Sequence, residues 1–282
     1  MDTFTNWLVD HKVPVGQWGE AGFDFITDHF ETIFDLISSV ITAAIEGIVD
    51  GLLWLPSPIV ILTAMLTAYL LKRSVRLVLG VGLGFVAIAN QGLWQETMQT
   101  LALVLASTAV TMMMGVPLGI FLGHRPKWFA FFSPLFDLMQ TLPTFVYLIP
   151  TLVLFGLGMA PGMVATIMFT VPSVVRLTFI GISSVPPFLK ETGVAFGATH
   201  RQMLWKIELP YAMPVIMEGL TQCIMLSLSM VVVAALVGAD GLGKPVVQAL
   251  SSVNVPLGLE AGLAIVVLAV ILDRTLKVTR HQ

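Results

Sequence analysis

A single cysteine, Cys223, stands among 282 residues, which excludes an internal disulfide. With only five dispersed histidines, no Cys/His set of the kind that holds zinc or an iron–sulfur cluster can be assembled, so neither a metal nor a cofactor is expected. Charge is equally scarce. Only 11% of residues are Asp, Glu, Lys or Arg, against about a quarter in a soluble domain, while 56% are hydrophobic and the mean hydropathy is +0.91. A water-soluble globule is thereby excluded.

Basic residues are almost missing from the start of the chain. Thirteen of the 14 Lys and Arg lie beyond residue 70, whereas nine of the 17 acids lie within residues 1–50. Such a start is neither a nucleic-acid-binding arm nor the basic leader of a cleavable signal peptide, so it is expected to remain in the mature protein.

Long apolar runs are abundant. They occupy about 52–71, 75–93, 98–122, 134–157, 160–181, 211–236 and 257–276, each near the roughly 20 residues that cross a bilayer as a helix. The chain is therefore expected to be all-α: a polytopic bundle of about seven transmembrane helices over 51–282, preceded by an acidic segment at 1–50. In that segment Phe23, Ile26, Phe30, Ile33, Ile37, Ile41, Ala44 and Ile48 recur at three- and four-residue steps between acids, the pattern of an amphipathic helix.

Cations orient the bundle. With the N-terminus outside and the C-terminus in the cytoplasm, Lys72, Arg73, Arg76, Arg125, Lys127, Arg176, Lys190, Arg201, Lys206, Arg274, Lys277 and Arg280 fall at the inner face, and only Lys12 and Lys244 outside.

Two stretches break the apolar pattern. The fourth run carries Pro143 and Pro150, each of which removes a helix hydrogen bond, and lipid cannot satisfy the freed carbonyls. This span is expected to face a protein-lined or wet cavity, with Gln140, Thr141 and Tyr147 lining a path together with the segment around Ser229 and Met230. The second break is 185–210. Pro186 and Pro187 suit a helix start, Gly197 a sharp bend, and Thr199 with Gln202 a capping box opening a second short helix that stops at Pro210.

The order Glu191-Thr-Gly193, then Gly197, then Ile207-x-Leu209-Pro210 resembles the EAA loop of permease subunits in ABC importers, which reads Glu-Ala-Ala, Gly and Ile-x-Leu-Pro at the same spacing. Thr192 and Gly193 depart from it, and Gly193 should loosen a helical turn by about 1 kcal/mol relative to Ala. Residues 137–158, 228–243 and 272–274 further resemble the permeases for choline, glycine betaine and proline betaine.

The resemblance implies a type I importer permease in a bacterial inner membrane, as one of two copies. It would work with two ATP-binding subunits docked on the loop formed by Glu191, Gly193, Gly197, Thr199, Gln202, Ile207, Leu209 and Pro210, and with an extracytoplasmic substrate-binding protein. Gly238, Asp240, Gly241 and Gly243 would form an outer loop or gate. Gly238 to Pro245 nearly reads as a phosphate-binding loop, but Pro245 stands where a hydroxyl is needed and no strand precedes it.

Asp137, Glu218 and Glu260 lie near span ends, where a cation partner or the interface accommodates them. The alternatives are an ion-coupled secondary carrier, which does not need the 185–210 loop, and an ABC permease for another small polar solute.

Overall fold

The computed structural model describes residues 14–277. Among these the chain is helical throughout, with no strand. Helix α1 (Val15–Trp54) ends where Pro56 forces Leu55 into an extended conformation (ψ 133°), and α2 (Ser57–Lys72) follows. Arg73, left-handed at φ 49°, turns the chain into α3 (Val75–Asn90). Then come α4 (Trp94–Gly123) and α5 (Pro126–Thr141), a 3₁₀ turn at Thr144–Tyr147, and α6 (Leu148–Phe155). After α7 (Met159–Ser183) and α8 (Pro187–Ala195), α9 (His200–Met203) leads through a π turn, Leu204–Glu208, into α10 (Leu209–Ala235). Helices α11 (Gly243–Ser252) and α12 (Val255–Leu276) complete the bundle.

Among the described residues five helices are long and apolar enough to cross a bilayer: α1, α4, α7, the continuous helix from His200 to Ala235, and α12; the bent pair 126–141 and 144–155 raises this to six. The expected first and second spans are α2 and α3, 16 residues each, or about 24 Å at 1.5 Å per residue. The division placed at residues 50 and 51 falls one turn before the end of α1.

Helix α7 is the centre of the molecule, packed between α4 and α10. The approach of α4 to α7 is set by glycines four residues apart. A methyl group at Gly115 would come within 2.8 Å of the Val174 side chain, at Gly119 within 2.8 Å of the Val175 carbonyl, and at Gly123 within 2.7 Å of Ile182. Small residues at this spacing let helix backbones meet in lipid, where dispersion and interhelical hydrogen bonds replace the hydrophobic effect as the source of association. Thr111 on α4 and Thr170 on α7 add such a bond at 2.9 Å.

Helix α1 contacts the bundle through its second half. Phe34 packs edge-on against Phe155, the Ser38 hydroxyl donates to the Phe155 carbonyl, and Ile45 and Val49 join a buried cluster with Leu103, Met159, Met163, Ala234 and Ala239. These partners all lie at the end of the bundle away from α8 and α9. The apolar stripe read from the sequence is not the face that packs: Ile45 and Val49 are buried, whereas Ile26, Phe30, Ile33, Ile37 and Ile48 of that stripe are exposed, as are Leu36 and Val40.

Candidate functional site

The 185–210 segment forms the expected hairpin. Pro187 opens α8 as its first residue, and the chain reverses at Gly197, whose φ of +72° is one that a side chain resists. The capping box then closes in both directions: Gln202 N–H donates to the Thr199 hydroxyl at 3.3 Å, and Thr199 N–H to the Gln202 side chain at 2.9 Å. The second helix does not stop at Pro210, however. Proline lacks a donor and its ring crowds the carbonyl four residues back, but the π turn shifts the bonding register, with Leu209 N–H reaching the Leu204 carbonyl, and α10 continues through the proline. The hairpin is therefore rigidly joined to a helix that traverses the whole bundle.

Gly193 has a packing role that its helix propensity alone does not suggest. It is buried, and a methyl group there would lie 2.6 Å from the Ile207 side chain and 2.7 Å from that of Met203, so its absence lets α8 lie directly on the π turn. Outside this contact the hairpin is unusually apolar for an exposed element: Phe188, Val194 and Trp205 are well exposed, and Phe196 is 87% exposed, beside the exposed Glu191.

One residue of this region escapes the sequence reading. Glu208 is 3% exposed and has two side-chain partners, an imidazole and an ammonium. One oxygen lies 2.7 Å from His124 Nε2 at the C-terminal end of α4, the other 3.2 Å from Lys190 Nζ on α8. Its carboxylate thereby ties the hairpin to the end of α4. A charge three residues from a span start reads as interfacial in the sequence, and nothing local identifies partners 18 and 84 residues away.

The broken fourth span bends by 104° between α5 and the 3₁₀–α6 segment. Pro143 supplies no N–H to the carbonyl of Met139 four residues earlier, and the Tyr147 hydroxyl donates to that carbonyl instead. Tyr147 is thereby enclosed with Leu148, Ala165, Met230 and Val237 in one buried cluster, so it and Met230 are brought together in the protein interior, 4% and 0% exposed. Thr141 and Ser229 are exposed, each hydroxyl donating to a carbonyl of its own helix. Gln140 and Pro150 are half-buried and Pro143 exposed. Asp137 pairs with Arg176 across α5 and α7, as a carboxylate at a span edge requires.

At the opposite end of the bundle the loop Gly238–Leu242 is held tightly. Leu242 N–H donates to the Thr100 hydroxyl at 2.8 Å, Gly241 at φ +127° presses on Thr100, and Gly158 N–H donates to the Val237 carbonyl at 2.9 Å. Asp240 pairs with Lys244, and Gly243 begins α11. The glycines here are a fixed joint rather than a phosphate loop.

These features agree with what the chain is similar to. The family model for "Binding-protein-dependent transport system inner membrane component" matches residues 115–278, more than half of the sequence. The chain belongs to this permease family. The permease is 40% identical, over 94% of its length and 75% of the relative's, to the glycine betaine/proline betaine transport system permease protein ProW of Escherichia coli (strain K12). It is 42% identical, over 93% of each chain, to the glycine betaine transport system permease protein OpuAB of Bacillus subtilis (strain 168). A chain of the inward-facing MetNI methionine ABC transporter superposes with a TM-score of 0.57 at 24% identity, covering 62% of the permease and 88% of that chain, which establishes the type I ABC importer permease fold. Membership of the family makes the permease a multi-pass transport subunit whose partners include ATP-binding subunits and a substrate-binding protein.

Proposed function

We propose that this permease moves glycine betaine or a related quaternary amine into the bacterial cytoplasm, coupling ATP hydrolysis on two separate ATP-binding subunits to alternating access of a path between two identical permease copies. The carrying observation is the α8–α9 hairpin: an exposed apolar face of Phe188, Val194, Phe196 and Trp205 beside Glu191, fixed to α10 through the π turn and to α4 through Glu208. A push on that face is transmitted to two spanning helices at once.

The names of the relatives support the substrate class, since ProW and OpuAB are permeases for glycine betaine and, in ProW, proline betaine. The cation bias supports a cytoplasmic hairpin and C-terminus. Lys72 reaches the backbone of Lys277, and Lys190 pairs with Glu208, so several of these cations gather at one end. Within the pair of copies, the exposed faces carrying Thr141 and Ser229 are the parts of the expected path open to a solute, while Tyr147 acts by holding the bend.

The test is reconstitution of the permease with its ATP-binding subunits in proteoliposomes and the binding protein outside. Labelled glycine betaine should accumulate only with internal ATP. Accumulation driven by an ion gradient without ATP would remove this reading in favour of a secondary carrier. A cysteine at Ser252 should react with an impermeant reagent from the outside and one at Ser74 should not; the reverse pattern inverts the orientation.

A further inference from the structure

The end of the bundle opposite the hairpin holds a cavity of about 550 Å³ between the start of α4, the end of α10 and α11. It is separated from Glu208 by the length of the 30-residue helix α4, roughly 45 Å. Its walls are polar, with Gln95, Glu96, Gln99, Asp240, Lys244 and Gln248 contributing, and no aromatic ring is among the lining residues.

The charges in this cavity are unequally compensated. Asp240 is paired with Lys244, one helical turn on. Glu96 has a carboxylate oxygen buried in the wall without a hydrogen-bond partner among the described residues. Glu96 as a whole is only partly buried, in the first turn of α4, so what the fold leaves bare is this one oxygen, and a buried oxygen without a partner is costly unless a donor or cation completes it. The loop beside the cavity is held in place: Leu242 N–H donates to the Thr100 hydroxyl, and Gly241 and Gly243 sit too close to α4 and α10 for any side chain.

We propose that this cavity is an entry site on the permease for a small zwitterion. The cationic end lies toward Glu96, and the carboxylate end toward Lys244 and the glutamine amides. A volume of this size admits a solute of a few heavy atoms with its water, and lies within the usual range of ligand sites. A quaternary ammonium group has no N–H, so what it seeks is an uncompensated negative charge rather than a hydrogen-bond acceptor of fixed direction, and Glu96 supplies one. The lack of an aromatic cage makes the site a weak one, suited to receiving cargo from a binding protein and passing it on. The identity of the zwitterion rests on the proposed import of glycine betaine; the cavity and its charge do not.

The test uses the assembled importer in proteoliposomes, with Ser251→Cys placed on the cavity wall and labelled from the outside without the binding protein present. A cationic methanethiosulfonate should react about tenfold faster than an anionic one, each relative to its rate with a free thiol, because the cavity concentrates cations. Saturating glycine betaine should slow the cationic labelling, and Glu96→Gln, in complexes that still co-purify with their ATP-binding subunits, should abolish that protection while Glu96→Asp retains part of it. Equal relative rates for the two reagents, labelling indifferent to glycine betaine, or protection that survives Glu96→Gln would each overturn the entry site. ATP-driven uptake by the same wild-type proteoliposomes is read separately: its absence removes the import reading, whereas uptake without protection removes only the cavity.

Discussion

Glu208 and His124 lie 84 residues apart in sequence and 2.7 Å apart in the structure, joining the base of the hairpin to the end of α4. Lys190 completes the arrangement from α8. Because the carboxylate is buried while His124 and Lys190 are partly exposed, its removal leaves polar groups that water can reach, and the loss is moderate. Glu208→Ala should destabilise the permease by about 1–3 kcal/mol in thermal unfolding in detergent, and Glu208→Gln by less. The sharper readout is coupling. Transport per ATP hydrolysed should fall in both variants even where the assembled complex is stable, and a wild-type ratio in Glu208→Ala would detach this residue from the mechanism.

Gly119→Leu tests the packing of α4 on α7. Its side chain meets the Val175 backbone and the Thr178 side chain, and backbone cannot move aside as a rotamer can. We expect destabilisation of about 1–3 kcal/mol and loss of assembled complex on size-exclusion chromatography. Gly47→Leu, where nothing lies within 4 Å, is the control and should assemble normally.

Much of this was legible in the sequence, and the exceptions follow a pattern. The spans from α4 onward, the hairpin, its glycine bend and its capping box were readable because each depends on residues within a few positions of one another, whereas α1, long and apolar enough to cross, was read as an amphipathic segment. The continuation of α10 through Pro210 was not, because the compensating π turn is decided by packing around Glu208 and Ile207. The same holds for Tyr147. Its place in an apolar, proline-broken span suggests a path-lining ring, but only the folded bend shows that its hydroxyl serves the Met139 carbonyl that Pro143 leaves bare. Helix α2 reads as a full span because the apolar run continues through the Leu55–Pro56 break, whose effect on length is steric and local. Glu208 and Glu96 could be found by sequence only as charges out of place; their partners, or lack of them, come from α4 meeting distant segments.

Gly197→Asp probes the bend. The left-handed conformation costs a side-chain-bearing residue about 1–2 kcal/mol, less for Asp than for most, and a methyl at this position meets nothing within 4 Å. The variant should therefore insert and fold, with near-normal thermal stability. ATP hydrolysis and uptake should become uncoupled, or the ATP-binding subunits should fail to co-purify. Normal uptake by the stable variant would remove the hairpin bend from the coupling step.

If force from ATP enters the permease at the apolar hairpin face, cross-linking should reveal the contact. Cysteines substituted one at a time at Val194 and Phe196 in the assembled complex should form cross-links to an ATP-binding subunit. The yield should change when ATP is bound, and Phe196→Asp should abolish both co-purification and uptake while leaving the isolated permease folded. If neither position cross-links, and Phe196→Asp retains co-purification and full ATP-driven uptake, the hairpin is not the coupling surface.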